Sequence, residues 1–252
     1  AFCDGEHLSA LAAACDYKRL KDGDDGPNTG GMGSFAPPGF WTAELEERLR
    51  VTIMEPVIRE MSKRGTPYRG ILYAGLMLTE AGPKVLEFNC RLGDPEAQVV
   101  LPLLAGDPLE IMLACHERRL SKLPVRWRAD NYVGVVMASG GYPAEYETGF
   151  EIIGLDDTDE EAQNTMIFHA GTRSSQPKSG EEQSSGPPGR VATSGGRVLT
   201  VVGRGASLAE ARDRAYHRVR RIDFQGAYYR TDIAAMESID GARAPNPATA
   251  SG

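Results

Sequence analysis

The segment from residue 86 to residue 96 alternates apolar and polar side chains and then turns: Leu86-Glu87-Phe88-Asn89-Cys90-Arg91-Leu92-Gly93-Asp94-Pro95-Glu96. Because alternate side chains of a β-strand share a face, Glu87, Asn89 and Arg91 are predicted to point to one side, with the apolar residues between them packing inward. Carboxylate and amide oxygens suit Mg²⁺, and a guanidinium suits the phosphate oxygens that this metal binds. The alternative is a polar face that lies against water. A preceding hairpin favours the functional interpretation.

That hairpin is predicted from two apolar runs, and a helix is predicted before it. Gly70 to Thr79 is a nearly continuous apolar strand, and a turn at 80–83 leads into a second strand over Lys84 to Phe88. Thr42 to Lys63 carries an apolar residue at every fourth position, which indicates one face of a helix. Pro56 lies within this helix and predicts a kink or a break, because proline lacks an amide hydrogen.

Further elements are predicted towards the C-terminus. Asp107 is expected to cap a helix that begins at Pro108, and Ser207 with Glu210 forms a capping box for another. The β-branched runs at 132–138 and 197–202 predict strands that end in glycines. Residues 173–190 offer little to bury and are predicted to be a disordered insertion, and residues 235–252 a flexible tail or linker.

A second candidate site is rich in glycine and lies between residues 22 and 33: Asp22-Gly23-Asp24-Asp25-Gly26-Pro27-Asn28-Thr29-Gly30-Gly31-Met32-Gly33. Glycines permit positive φ angles and a close approach to a ligand, and their N–H groups could hold an anion. Lys18 and Arg19 supply positive charge beside this segment, and a helix is expected to follow it. The segment is interpreted as an ordered substrate loop. The alternative is a flexible acidic surface loop.

The composition excludes several classes of function. The chain has 252 residues, with 28 basic and 35 acidic side chains and a formal net charge of −7. This balance argues against a general nucleic-acid binder, and no apolar run approaches the ~20 residues of a membrane span. Its four cysteines are scattered without a Cys-x-x-Cys pair, which fits reduced thiols in the cytoplasm. The expected partners are therefore small molecules, with neither nucleic acid nor membrane among them.

Both candidate segments resemble signature sequences of the glycinamide ribonucleotide synthetases, a family of ATP-grasp enzymes. Residues 16–33 resemble that family's D-x-K-R-L…D-G-D-x-G-P-N-T-G-G-M-G stretch, and residues 91–98 resemble its R-x-G-D-P-E-x-Q signature. Shorter matches lie at residues 73–77, 139–143, 168–172, 193–199 and 228–233. The resemblance extends from about residue 1 to residue 234.

The resemblance implies an α+β fold, with the C-terminal part of an ATP-grasp catalytic domain at 1–122 and a small strand-rich C-terminal subdomain at 123–234. It implies ATP-dependent ligation of glycine to 5-phosphoribosylamine through glycyl phosphate, giving glycinamide ribonucleotide in purine biosynthesis. Glu87 and Asn89 would be ligands of Mg²⁺ or Mn²⁺, and Arg91 a catalytic residue beside the transferred phosphoryl group. The implied substrate-binding residues are Lys18, Arg19, Asp22, Asp24, Asn28, Thr29, Gly30, Gly31 and Asp94.

Parts of the family pattern do not precede Ala1: an N-terminal domain with a nucleotide-type glycine loop, a lid and the adenine-holding half. The chain is therefore expected to be the C-terminal portion of a longer enzyme, and some family members are fused to further purine-pathway domains. Two alternatives stay open. One is a truncated, catalytically silent fragment, and the other is a different ATP-grasp carboxylate–amine ligase.

Overall fold

The computed structural model describes residues 1–156, 163–174 and 190–235, and these form a mixed helix and strand structure. The helices are α1 (Ala43–Leu49), α2 (Glu55–Lys63), α3 (Ala97–Val100), α4 (Pro108–His116) and α5 (Leu208–Val219). The strands of the first half are β1 (Phe2–Asp4), β2 (Cys15–Asp16), β3 (Arg19–Lys21), β4 (Asp25–Asn28), β5 (Gly33–Ala36), β6 (Arg69–Ile71), β7 (Tyr73–Thr79) and β8 (Gly82–Asn89). Those of the second half are β9 (Leu104–Ala105), β10 (Arg126–Trp127), β11 (Asn131–Ala138), β12 (Glu151–Ile152), β13 (Thr165–His169), β14 (Thr172–Ser174), β15 (Val191–Thr193) and β16 (Arg197–Gly205). The α+β expectation is confirmed.

A five-stranded antiparallel sheet forms the largest layer, in the order β13-β16-β11-β5-β2. At its centre, β11 pairs with β16, and Val135 lies opposite Val201. Every residue from Tyr132 to Ala138 is buried, because α5 packs on one face of the sheet and the region of α3 packs on the other. The strands predicted at 132–138 and 197–202 are therefore confirmed.

This sheet includes strands from both halves of the chain. β5 pairs with β11, placing Phe35 opposite Val133, and β2 pairs with β5 on the outer side. The sheet thus crosses the position between residues 122 and 123 where the sequence predicts a boundary between subdomains. That boundary stays a prediction.

The second region of the molecule is built on the hairpin β7–β8 and the strand pair β1–β6. The predicted hairpin is confirmed, but the single strand predicted at 70–79 is two strands. Ile71 pairs with Phe2, whereas Tyr73 pairs with Asn89, and buried Leu72 lies between the two pairings. A change of partner therefore divides an apolar run that the sequence alone shows as continuous.

The apolar side chains near the end of this hairpin are exposed. Leu86 is 65% exposed and Phe88 is 39% exposed, and Cys90 beyond the strand is exposed as well. The prediction that these three residues pack inward is wrong within the described part of the chain. The alternation of apolar and polar residues identified the strand correctly. It does not show whether another part of the chain packs against the apolar side chains.

The helix predicted at 42–63 is present with an irregular centre. Thr42 caps α1, since its Oγ1 accepts a hydrogen bond from the Leu45 amide at 3.2 Å. Between α1 and α2 the segment Arg50–Met54 is π-helical, and Pro56 lies two residues beyond its end. A proline ring and its missing N–H disturb the regular ladder of helical hydrogen bonds, so the irregularity falls where the sequence predicts it.

Both predicted caps in the second half are confirmed. The Asp107 side chain accepts from the Leu109 amide at 2.9 Å, and the Ser207 hydroxyl accepts from the Glu210 amide at 3.2 Å. Among the described residues, every helix is too short or too polar to cross a membrane. Apart from their ends, the predicted insertion at 173–190 and the tail at 235–252 lie outside the described residues.

Candidate active site

The end of β8 carries the two predicted metal ligands. Glu87 and Asn89 lie two residues apart on one face of the strand, and Asn89 Nδ2 donates to Glu87 Oε1 at 2.8 Å. Gly75 lies opposite Glu87 on β7, and a Cβ atom there would lie 3.1 Å from Glu87 Cγ. The glycine therefore leaves the space that the Glu87 side chain occupies.

Arg91 does not lie on the strand with Glu87 and Asn89. β8 ends at Asn89, and Arg91 lies in the bend that follows, where its Nη1 donates to the Leu92 carbonyl at 2.8 Å. The strand that the sequence predicts through Arg91 ends two residues earlier, so strand alternation no longer supports a shared side for Arg91 and Glu87. Its side chain is exposed, and its role beside a phosphoryl group stays a prediction.

A cavity of about 710 Å³ lies beside the hairpin. Its apolar part includes Trp41 and Leu72, and its polar end brings together residues from distant parts of the sequence. That end contains Asp16, Lys18, Asn28, Thr29, Tyr73, Glu87 and Glu96. Four of the residues predicted as ligands thus line one space, whereas the others do not line it: Arg19, Asp22, Asp24, Gly30, Gly31, Asn89, Arg91 and Asp94.

Charge at the polar end of the cavity is concentrated around Asp16. Lys18 Nζ lies 2.6 Å from Asp16 Oδ2, and although partial burial opposes it, this carboxylate raises the pKa of Lys18. Glu96 is buried and accepts a hydrogen bond from the Tyr73 hydroxyl at 2.8 Å. Burial and the negative charge of Asp16 raise the pKa of Glu96. The site therefore pairs a firmly protonated amine with carboxylates held close together.

The glycine-rich loop is ordered by hydrogen bonds, most of them to distant parts of the chain. β3 and β4 form a small hairpin, and the segment continues into β5 instead of the helix that the sequence predicts. Its N–H groups are largely occupied: the Gly23 amide donates to Asp232 at 2.8 Å, that of Gly30 to the Tyr142 hydroxyl at 2.9 Å, and that of Gly31 to Thr29 Oγ1 at 2.9 Å. The expectation that these three amides are free to hold an anion is wrong.

The two acidic residues at the start of this loop contact the C-terminal segment. Asp22 Oδ1 accepts from the Thr231 amide at 2.8 Å, and the Thr231 hydroxyl also donates to this carboxylate. Asp24 Oδ1 accepts from Arg230 Nη1 at 2.8 Å. Arg19 lies on β3 beside the loop, and its Nη1 donates to the Gly26 carbonyl at 2.8 Å.

Asp94 joins the end of the loop to β16. Arg197 Nη2 donates to Asp94 Oδ2 at 2.7 Å, and Arg197 Nη1 donates to the Gly30 carbonyl at 2.9 Å and to the Asp94 carbonyl at 3.1 Å. One guanidinium therefore ties together the two motifs that the sequence singles out.

Five residues of this region have no role assigned from the sequence: Asp16, Tyr73, Glu96, Arg197 and Arg230. Asp16 and Glu96 stand inside the two quoted motifs, and both arginines stand inside shorter matches to the family. Tyr73 is the first residue of another shorter match, at residues 73–77, but it lies in an apolar strand and carries no motif of its own. Their importance depends on tertiary contacts, which a single sequence does not display.

The donor set at Glu87 and Asn89 fits a magnesium ion. One carboxylate and one amide oxygen are hard ligands, and Mg²⁺ usually takes one or two protein ligands with water and substrate phosphates completing its shell. In the described part of the chain no group of three or more His, Cys, Asp or Glu side chains is placed to hold a metal. A site completed by substrate oxygens suits these residues better than a cage made of protein alone.

Two family models match the chain, and the first of them covers the glycine-rich loop and the hairpin. The model described as phosphoribosylglycinamide synthetase, ATP-grasp (A) domain, matches residues 1–97. The model described as the C domain of the same synthetase matches residues 132–236. The chain belongs to the phosphoribosylglycinamide synthetase family.

Curated relatives and solved structures agree with this assignment. The phosphoribosylamine–glycine ligase of Caldanaerobacter subterraneus subsp. tengcongensis is 47% identical over 235 residues, which cover 93% of this chain and 52% of the relative. The ligase of Synechocystis sp. is 45% identical, over 92% of this chain and 53% of the relative. The crystal structure of the Thermotoga maritima ligase aligns with a TM-score of 0.76 at 36% identity, over 92% of this chain and 54% of that chain.

More distant structures share the fold alone. The biotin carboxylase domain of Hydrogenobacter thermophilus 2-oxoglutarate carboxylase aligns with a TM-score of 0.52 at 12% identity, over 79% of this chain and 40% of that chain. The present chain spans about half the length of the two curated ligases described above.

Proposed function

We propose that this chain forms the metal-binding and amine-accepting half of a phosphoribosylamine–glycine ligase. Such an enzyme joins glycine to 5-phosphoribosylamine with cleavage of ATP and gives glycinamide ribonucleotide for purine biosynthesis. The observation that carries the proposal is the shared cavity: Lys18, Asn28 and Thr29 of one motif line it together with Glu87 of the other. Family membership supports the same reaction, because the relatives compared above carry that name.

The chemistry follows from the poor reactivity of a carboxylate. Hydroxide is a poor leaving group, so the glycine carboxylate first takes the γ-phosphoryl group of ATP to give glycyl phosphate. The amine of 5-phosphoribosylamine then attacks the glycyl carbon, forming the amide and releasing phosphate. Both steps place negative charge on phosphoryl oxygens, which preorganised positive groups stabilise.

The chain supplies these groups from two sides. Glu87 and Asn89 would hold Mg²⁺ or Mn²⁺, which when bound neutralises charge on phosphate oxygens. Arg91 follows the same strand and is exposed, and the proposal assigns its guanidinium to a phosphoryl group at that end. Lys18 carries its charge into the cavity, where its pairing with Asp16 keeps the amine protonated at neutral pH. The loop residues Asn28 and Thr29 add polar contacts for a substrate.

A chimera tests the proposal directly. This chain would replace the matching 235-residue segment of the Caldanaerobacter ligase, to which it is 47% identical. We expect glycine-dependent release of ADP and formation of glycinamide ribonucleotide within about tenfold of the parent rate. A folded chimera that releases ADP no faster with glycine than without it would contradict the proposal.

Two further measurements separate the alternatives. Titration of the purified chain with Mg-ATP by calorimetry distinguishes an ATP-binding module from a catalytically silent fragment. Saturable binding in the micromolar range would argue against the silent fragment. Replacing glycine by alanine, serine or aspartate in the chimera assay distinguishes this ligase from another carboxylate–amine ligase. We expect a clear preference for glycine.

The proposal extends to partners and location. The four cysteines all lie in the described part of the chain and form no disulfide there, which fits a reducing compartment such as the cytoplasm. One relative, the trifunctional purine biosynthetic protein adenosine-3 of Gallus gallus, is 46% identical over 92% of this chain, which corresponds to 22% of that protein. Further purine-pathway domains on a longer chain are therefore part of the proposal.

A further inference from the structure

We propose that the C-terminal region clamps the glycine-rich loop at both ends, with Arg197 and Arg230 as positioning residues for its substrate-facing middle. This inference deepens the proposed function and rests on it. In this proposal Asp22 and Asp24 hold the loop in place and do not bind substrate. Asn28 and Thr29, which lie between the contacts of Arg230 and those of Arg197, bind it instead.

The first anchor is centred on Arg230, whose side chain is fully buried. Its Nε and Nη2 donate to the Asp232 carboxylate at 2.7 and 2.6 Å, and its Nη1 donates to Asp24 Oδ1 at 2.8 Å and to the Arg19 carbonyl at 3.0 Å. The guanidinium also lies 4.7 Å from the centre of the Tyr17 ring. A buried charge is stable only when it is paired and its donors are used, so this geometry is tightly fixed.

Additional bonds beside Arg230 join the same two segments. The Thr231 amide and hydroxyl both donate to the Asp22 carboxylate, and the Gly23 amide donates to Asp232 Oδ2 at 2.8 Å. The Tyr228 hydroxyl donates to the Leu20 carbonyl at 3.1 Å. The beginning of the loop is therefore bonded to residues more than two hundred positions later, at 228–232.

The second anchor lies where the loop ends. Arg197 binds the Gly30 carbonyl and both the carbonyl and the carboxylate of Asp94, and the Tyr142 hydroxyl accepts from the Gly30 amide. Gly31 has a φ of +116°, and an added Cβ atom would collide with Pro95. The loop thus closes tightly onto the Asp94–Pro95 turn.

The segment between these anchors reaches the cavity. Asn28 and Thr29 line it, whereas Asp22, Asp24, Gly30 and Gly31 do not. Thr29 is fixed in turn, because its amide and hydroxyl donate to the Lys18 carbonyl at 2.7 and 2.9 Å. Anchors on both sides of a short polar segment are the arrangement that holds binding groups within a narrow range of positions.

Amide hydrogen exchange on the purified chain tests the clamp without requiring ligase activity. Arg197→Ala should speed exchange in the peptide covering residues 29–33 by about tenfold or more, because it removes charge-assisted bonds to Gly30 and Asp94. Exchange in α2, which packs in a different hydrophobic cluster, should not change. Arg204→Ala is the matched control: it lies on the same strand and pairs with Asp130 at the surface, so it should leave both peptides unchanged.

The first anchor needs a milder variant, because truncation of buried Arg230 is expected to weaken folding. Thr231→Val removes the hydroxyl bond to Asp22 from a largely exposed position, and it should speed exchange over residues 20–25 alone. Unchanged exchange of residues 29–33 in Arg197→Ala would overturn the clamp, and so would uniformly faster exchange throughout the chain.

A kinetic measurement distinguishes positioning from a purely structural role. In the chimera, Arg197→Ala should raise KM for 5-phosphoribosylamine by about tenfold while KM for ATP changes less than about twofold. Arg197→Lys should restore part of the loss, since lysine keeps the charge but cannot bridge all three acceptors. Equal changes in both KM values would overturn the positioning role. An inactive wild-type chimera would instead refute the proposed function and leave the exchange result standing.

Discussion

The pair β11–β16 and the hairpin β7–β8 are both antiparallel pairs of apolar strands, yet they have opposite surroundings. In the first pair, Tyr132 to Ala138 is buried without interruption between helices on both faces. In the second, Leu86 and Phe88 are exposed, and the same strand carries Glu87 and Asn89. Similar strand patterns thus build a core in one place and a candidate active site in the other.

The difference shows how stability and chemistry are divided. Burial of apolar side chains on both faces makes β11–β16 the centre of the fold, and substitutions there should act on folding. The hairpin loses little apolar contact when an exposed side chain is shortened, so substitutions there should act on ligands. The glycine-rich loop links the two regions, because Gly30 and Asp94 both bind Arg197 at the start of β16.

The largest expected effect on stability is in the sheet. Leu199 is fully buried in the cluster that contains α5, so Leu199→Ala should lower the free energy of unfolding by about 2–5 kcal/mol. Urea unfolding followed by circular dichroism measures this loss. Leu86→Ala is the matched control in the hairpin and should stay within about 0.5 kcal/mol of wild type. If both variants lost the same free energy of unfolding, the sheet and the hairpin would not differ in their contribution to stability.

A smaller effect is expected at the helix that covers the sheet. Ser207 caps α5, so Ser207→Ala should lower the free energy of unfolding by about 1 kcal/mol, since the Glu210 amide loses its partner. The same urea experiment measures it. Ser62→Ala, on the exposed side of α2, serves as the control. A Ser207→Ala variant as stable as this control would show that the cap contributes nothing.

The smallest effect concerns the pH dependence of stability at the cavity. Burial and the charge of Asp16 raise the pKa of Glu96, so the folded chain holds this proton more tightly than the unfolded chain. The contribution of the protonated Glu96 to stability is therefore complete below the ordinary pKa of glutamate. It is lost as the pH rises through the higher pKa that Glu96 has in the folded chain. Unfolding free energies measured from pH 4 to pH 7 should therefore fall less in Glu96→Gln than in wild type. A parallel fall in both would contradict the assigned direction, and exposed Glu80→Gln is the control.

Local signals in the sequence predict much of the fold. The caps at Asp107 and Ser207 are predictable because the hydrogen bond of each reaches only a residue two or three positions away. The hairpin at residues 73–89 and the central strands are likewise local patterns. What the sequence does not predict depends on distant partners: the break at Leu72, the exposure of Leu86, and the sheet that joins β5 to β11.

The candidate site shows the same limit. The motifs identify Glu87, Asn89 and the glycine-rich loop, but residue type alone does not separate an anchor from a ligand. Asp22 and Asp24 resemble ligands in the sequence, and in the fold they bind Thr231 and Arg230. Contacts over such separations follow from the tertiary structure.

The central claim is that Glu87 of the hairpin is needed for the reaction but contributes little to the stability of the fold. Its most direct test is the rate of glycine-dependent ADP release by the chimera bearing Glu87→Gln, compared with Glu80→Gln at the turn of the same hairpin. We predict that Glu87→Gln lowers this rate by at least about a hundredfold with an unchanged urea midpoint, and that Glu80→Gln matches wild type. Equal rates in the two variants would contradict the account.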